Sequence, residues 1–224
     1  MVVNKAKINR SLSTKLVDAR VAQVFNTFND VLVTSSFGTT SAVLLHIISR
    51  VKPGCPVYFI DTGYHFEETL SYKNRLTKML DLNVAELHPD TSDHETTRQR
   101  QMWLSDPDRC CKINKLEPIQ KVKNRYPIWM SGVIGYQNSY RKNLDIIIKK
   151  RKCCVVIRLL TGIEQWWMNI WKPTACLSIR WRKRDTLQLA ARTAPFQPRG
   201  ETGAGQTWKK PSADCIDNSY LFCW

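Results

Sequence analysis

The chain has 224 residues, 43% of them hydrophobic and 24% charged, with a formal net charge of +15 and a pI near 9.6. That length suits one α/β domain with an appendage, or two small domains, and the apolar share is enough for a sizeable core. No run is long and apolar enough to cross a bilayer, and the opening MVVNKAKINR carries no apolar signal segment, so no membrane partner is expected and the expected compartment is the cytoplasm.

In chain order, Leu16, Val17, Val21, Val24, Phe25 and Phe28 recur at the spacing of one helix face, which predicts a helix over 13–29. A β-branched run, Val31 to Val33, predicts a strand. The small, polar stretch 35–40 follows, then a helix from Ser41 to Ile48. The pattern repeats: a strand over Pro56 to Ile60, a loop at Asp61-Thr62-Gly63, and a helix over 68–80. A third strand is expected over 83–87 and a polar helix over 91–103. Pro107 breaks that helix. Another helix is expected over 110–124, and a fourth strand over Ile128 to Met130 ends at Ser131-Gly132. Strands alternating with helices predict an α/β fold, a mostly parallel sheet with helices on both faces. Beyond residue 150 the pattern changes. The segment 151–192 holds Trp166, Trp167, Trp171 and Trp181 without a clean period, although the apolar continuation of Cys153-Cys154 reads as a buried strand. Residues 193–224 are rich in Gly, Pro, Ser and Thr and read as an irregular tail.

The excess of positive charge attracts anions. No zinc-finger spacing and no RNA-binding consensus occurs, so a small phosphorylated or sulfated molecule is expected rather than nucleic acid. The loop SSFGTTS (35–41) suits such an anion. Its small residues let backbone N–H groups approach, the helix N-terminus adds unpaired donors, and Ser36, Thr39, Thr40 and Ser41 add hydroxyls. It lacks the Gly-Lys-Ser/Thr ending of a Walker A loop. The loops at 35–41, 61–63 and 131–132 all fall at the carboxyl ends of predicted strands, where open α/β sheets bind ligands.

The remaining motif is Cys110-Cys111 in DRCCKINKLEP (108–118). Adjacent cysteines rarely bridge each other. They read either as two thiolates on one local surface, ligands for a soft metal or an iron–sulfur cluster, or as two small buried apolar residues. Eight cysteines in a reducing compartment are expected as ligands, catalysts or core residues.

Taken together, SSFGTTSAVLLH (35–46), VYFIDTGYHFEET (57–69), DRCCKINKLEP (108–118) and SGVIGYQNSYRKNL (131–144) occur in an order that resembles the adenylyl-sulfate and phosphoadenylyl-sulfate reductases of the PP-loop, adenine-nucleotide α-hydrolase-like superfamily. The resemblance covers roughly residues 25–150. It implies a PP-loop sulfonucleotide-binding domain over 1–150, a divergent segment over 151–192, and a tail over 193–224 carrying the candidate catalytic cysteine. The adjacent cysteines resemble the cluster-containing branch, whose usual substrate is adenylyl sulfate. The resemblance implies that Ser36, Gly38, Thr39, Thr40 and Ser41 bind phosphate, and that Asp61, Thr62 and Gly63 form a second nucleotide-binding loop. Lys115 falls where such enzymes carry a lysine between cluster and substrate, and Arg141 matches a basic residue after the fourth strand. Cys215 matches the nucleophile of the tail. The implied reaction is sulfate-to-sulfite reduction through an S-sulfocysteine, with thioredoxin or another thiol as electron donor.

The chain also departs from that pattern. Cys110 and Cys111 are two of the four ligands a 4Fe–4S cluster takes, and no Cys-x-x-Cys stands downstream. A shifted reading frame across part of 151–192 would account for the missing pair. The tail keeps Cys215 but lacks the Gly and His that follow the cysteine in the family, and Gly203 and Gln206 replace arginines. A nucleotide-binding homologue impaired in catalysis, a reductase of the 3′-phosphorylated substrate, an ATP-dependent PP-loop enzyme and a basic nucleic-acid-binding module are the competing readings.

Overall fold

The computed structural model describes residues 5–38, 41–132, 145–149 and 154–156. Its centre is a six-stranded sheet in the order β3-β2-β1-β4-β6-β5. The strands are β1 (Val31–Thr34), β2 (Pro56–Ile60), β3 (Asn83–Leu87), β4 (Ile128–Ser131), β5 (Ile147–Lys149) and β6 (Cys154–Val156). All neighbours pair in parallel except β5 and β6, which are antiparallel. The sheet therefore continues past residue 150, and the strand expected after Cys153 is β6.

The helices are α1 (Lys5–Ser13), α2 (Val17–Thr27), α3 (Ser41–Val51), α4 (Glu67–Met79), α5 (Thr91–Gln99), α6 (Met102–Ser105), α7 (Pro107–Cys111) and α8 (Glu117–Lys123). A π-helical turn, Lys112–Leu116, joins α7 to α8. The central strands β1, β2 and β4 carry near-continuous apolar runs, Val31–Val33, Val57–Ile60 and Ile128–Met130, because both sheet faces are covered. Val31, Val33, Val57, Phe59, Ile128 and Met130 pack into the larger core with α3. The alternate residues Leu32, Ile60 and Trp129 pack on the other side with Ile119 of α8. α3 buries Val43, Leu44, Leu45, Ile47 and Ile48; each such side chain contributes about 1.5–3 kcal/mol. Lys73 of α4 pairs with Glu86 of β3 and lies 4.9 Å above the Phe59 ring, which holds α4 against the sheet.

Three sequence expectations are corrected. The helix expected over 13–29 forms as α2 over Val17–Thr27, with Val17, Val21 and Val24 buried, but its start is a corner after α1, and Leu16, assigned to its apolar face, is 81% exposed. The buried Arg20 makes the corner: its Nε donates to Leu12 O at 2.8 Å and its Nη2 to Ser13 O at 3.2 Å, satisfying carbonyls at the end of α1. The helix expected over 91–103 is interrupted at Arg100-Gln101, where Gln101 has φ 45°. The helix expected over 110–124 is split by the π turn, because Pro118 has no N–H to give the Asn114 carbonyl and its ring crowds that carbonyl. α1 also closes the sheet edge: Asn9 donates to Ile147 O at 3.1 Å and accepts from Ile147 N–H at 2.8 Å.

Candidate functional site

The strand order reverses beside β1: β2 lies on one side and β4 on the other. The carboxyl ends of these strands form the crevice in which open α/β sheets bind ligands. Ser35 leaves β1 hydrogen-bonded to Tyr58 O of β2 at 3.1 Å, so the first two loops leave the sheet side by side. Ser131, at the end of β4, is in register with Thr34.

An inward-pointing phenylalanine shapes the first loop. Phe37 is 1% exposed and meets the Phe59 ring edge-on at 5.6 Å. Its φ is 50°, a left-handed conformation that is rare for a bulky residue. Phe37 N–H donates to Ser35 Oγ at 3.1 Å, and Ser41 N–H and Oγ–H both turn back to Gly38 O. Ser36 and Gly38 stay half-buried beside this anchor. Thr39 and Thr40 lie outside the described residues.

The second loop is held by its own side chains. Gly63 N–H donates to Asp61 Oδ1 at 2.9 Å and Tyr64 N–H to Thr62 Oγ1 at 3.3 Å. Gly63 has φ 71°, and a Cβ there would lie 2.7 Å from both Cε1 and Nε2 of His94. Only glycine meets both conditions. His65 Nε2–H donates to Ile60 O at 2.9 Å. Burial, chiefly, depresses its pKa below the ordinary histidine value; the Ile60 bond and Asp61 oppose that shift, and Lys115 and Lys73 add to it.

Cys110 and Cys111 close α7. Asp106 caps this short helix by accepting from Arg109 N–H at 3.1 Å, and Pro107 enters the first turn. Cys110 is buried and Cys111 half-buried, and neither is in a disulfide. Burial pushes the Cys110 thiol pKa up, opposed by the Asn114 hydrogen bond and by Lys115. Lys115 is half-buried, and its charge acts on both Cys110 and His65. It lies in the π turn whose Asn114 contacts both Cys110 and His94, the ring packed against Gly63.

The structure thus brings Ser36, Gly38, Ser41, Asp61, Thr62, Gly63, Lys115, Cys110 and Cys111 to one end of the sheet. Arg141 and Cys215 lie outside the described residues. A 4Fe–4S cluster needs four soft donors. Among the described residues no group of three or more His, Cys, Asp or Glu side chains converges, and Cys110 is buried with a raised pKa. The two thiols form half a donor set, and the described residues do not fit a complete cluster site.

Sequence reasoning missed the groups between the loops. Asn114, 2% exposed, donates from Nδ2 to Cys110 O at 2.9 Å, Cys110 Sγ at 3.5 Å and Thr97 Oγ1 at 3.1 Å. Its Oδ1 lies 2.7 Å from His94 Nδ1. Tyr64 OH lies 2.7 Å from Thr97 Oγ1, and the Tyr64 ring packs on His94 and Trp103. The one sequence signal was Pro118, which marks a disturbed helix just after the cysteines.

A family described as the phosphoadenosine phosphosulfate reductase domain matches residues 30–172. The chain belongs to this family. Its relatives include the adenosine 5′-phosphosulfate reductase of Halalkalibacterium halodurans, 34% identical over 179 residues, covering 75% of this chain and 76% of that protein. The enzyme of the same name from Bacillus mycoides is 29% identical over 173 residues, covering 75% and 74%. Among solved structures, phosphoadenylyl-sulfate reductase from Candida auris matches with a TM-score of 0.65 at 20% identity, over 77% of this chain and 88% of that one. That likeness supports the parallel α/β architecture. The family places the chain among oxidoreductases of sulfate assimilation.

Proposed function

We propose that the chain is a sulfonucleotide reductase that converts adenylyl sulfate to sulfite and AMP, with electrons from thioredoxin or another thiol. The observation that carries this reading is the Gly63 loop packed against His94, whose Nδ1 bonds Asn114 in the π turn that also carries Lys115. A cation there suits an anionic sulfate held beside a nucleotide.

In this reading Ser36, Gly38, Thr39, Thr40 and Ser41 hold phosphate through backbone N–H and hydroxyl donors. Asp61, Thr62 and Gly63 hold the nucleoside, and Lys115 and Arg141 draw the sulfate by charge-assisted hydrogen bonds. The Cys215 thiolate attacks the sulfate sulfur. A bond forms between Cys215 Sγ and that sulfur, the sulfur–oxygen bond to the phosphate breaks, and AMP leaves with the electron pair. A donor thiolate then attacks Cys215 Sγ. Sulfite leaves with the bonding electrons, and the donor's second thiol resolves the mixed disulfide. Sulfate sulfur gains two electrons, and two thiols become a disulfide. Sulfite release in the presence of a thiol donor, lost in Cys215→Ser, tests this mechanism; sulfite release unchanged in that variant overturns it.

A second reading is a homologue that binds adenine nucleotide without turnover. The lack of a Cys-x-x-Cys downstream of Cys110 and Cys111 in the sequence favours it. It requires AMP binding with no sulfite release under anaerobic conditions.

A further inference from the structure

We propose that His94 is a positioning residue that locks the Gly63 loop and the Cys110 turn into one unit through Asn114. The proton positions follow from groups with fixed roles. The Cys110 carbonyl can only accept, so the Asn114 amide nitrogen must face it, at 2.9 Å. Asn114 Oδ1 then faces His94 Nδ1 at 2.7 Å, and an amide oxygen can only accept. His94 Nδ1 therefore carries a proton whether the ring is neutral or charged. Thr97 Oγ1–H donates to His94 O at 2.7 Å and its oxygen accepts from Asn114. The Tyr64 hydroxyl must then donate to Thr97. Every polar atom of Asn114 is used, and reversing its amide would break two of these bonds at once.

The neighbouring edge of the same ring, Cε1 and Nε2, occupies the space a Gly63 side chain would take. One imidazole thus contacts the second loop by one edge and orients the Cys110 turn by another. Neither side can shift without disturbing the ring, since buried polar networks tolerate few alternatives. Movement of the Gly63 loop on binding a nucleotide is felt at Cys110 through this ring. This last step rests on the proposed nucleotide reading; the hydrogen-bond lock does not.

The test is alkylation by iodoacetamide, resolved by mass spectrometry at Cys110 with Cys55 as internal reference, on the full chain. His94→Phe keeps a ring against Gly63 and removes the donor. His94→Asn keeps a donor at the Nδ1 position and removes most of the ring. Without ligand, His94→Phe raises the Cys110 rate relative to Cys55 by about fivefold, the effect of one lost hydrogen bond, and His94→Asn restores it. If His94→Phe does not fold, as read by circular dichroism, the near-isosteric Asn114→Leu gives the same rise. Equal rates in the parent and in both His94 variants overturn the lock, as does an equal rise in both. Added AMP slows Cys110 alkylation in the parent but in neither variant, because His94→Phe lacks the donor to Asn114 and His94→Asn lacks the ring against Gly63. AMP that binds without changing any rate overturns the coupling. AMP that does not bind overturns the nucleotide reading and leaves the ligand-free comparison to decide the lock.

Discussion

The His94 ring stands where a side chain on Gly63 would begin, with Cε1 and Nε2 both 2.7 Å from the position of a Gly63 Cβ. Two parts of the chain that read as separate motifs, the Asp-Thr-Gly loop and the cysteine pair, are thereby packed through a third residue. Gly63→Ala has two independent penalties, a steric one against His94 and a conformational one at φ 71°. The expected loss is about 1–3 kcal/mol of stability, together with weaker AMP binding. In Gly63→Ala combined with His94→Ala the steric part disappears and the conformational part, about 1 kcal/mol, remains. Urea denaturation of the single and double variants checks this; a fully recovered double variant would show that backbone strain at Gly63 is negligible.

The Phe37 side chain fastens the first loop to the core. Phe37→Ala removes a fully buried ring and should cost about 3–5 kcal/mol. Phe37→Leu should cost less. Both variants should weaken phosphate and AMP binding, because the loop loses the anchor that holds Ser36 and Gly38 in place. Denaturation midpoints and AMP titration measure the two effects separately, and unchanged AMP affinity in Phe37→Leu with clear destabilisation would detach the anchor from ligand binding.

His65 gives a pH dependence with a defined sign. Burial, as the main cause, lowers its folded pKa below 6.5, so the unfolded chain takes up the proton first as pH falls. The stabilisation linked to neutral His65 is fully present above pH 6.5 and is lost as pH falls through the folded value. In His65→Gln that acid-side loss should shrink. NMR titration of the His65 ring protons, paired with stability measured between pH 7 and 5, tests it; a folded midpoint above 6.5 would contradict the assignment.

Much of the fold was legible because the strand residues point to two covered faces. Val31, Leu32 and Val33 read as a strand from β-branching and apolar continuity alone, and they form one. The α1–α2 corner was not legible, because it depends on Arg20 reaching two carbonyls eight and seven residues earlier in the chain. The candidate loops were legible from small residues placed after strands. The His94–Asn114 contact was not, since the two residues lie 20 positions apart in stretches that read only as two separate helices. Thr97 and Asn114 are 0% and 2% exposed. Their burial arises when α5 folds back onto the π turn, a tertiary event that no local period announces.

The most direct measurement is an anaerobic assay of the full chain with adenylyl sulfate and a dithiol donor, reading sulfite in the parent and in Cys215→Ser. The proposed function predicts donor-dependent sulfite from the parent and none from the variant. AMP binding with no sulfite from the parent, or equal sulfite from both proteins, would contradict it.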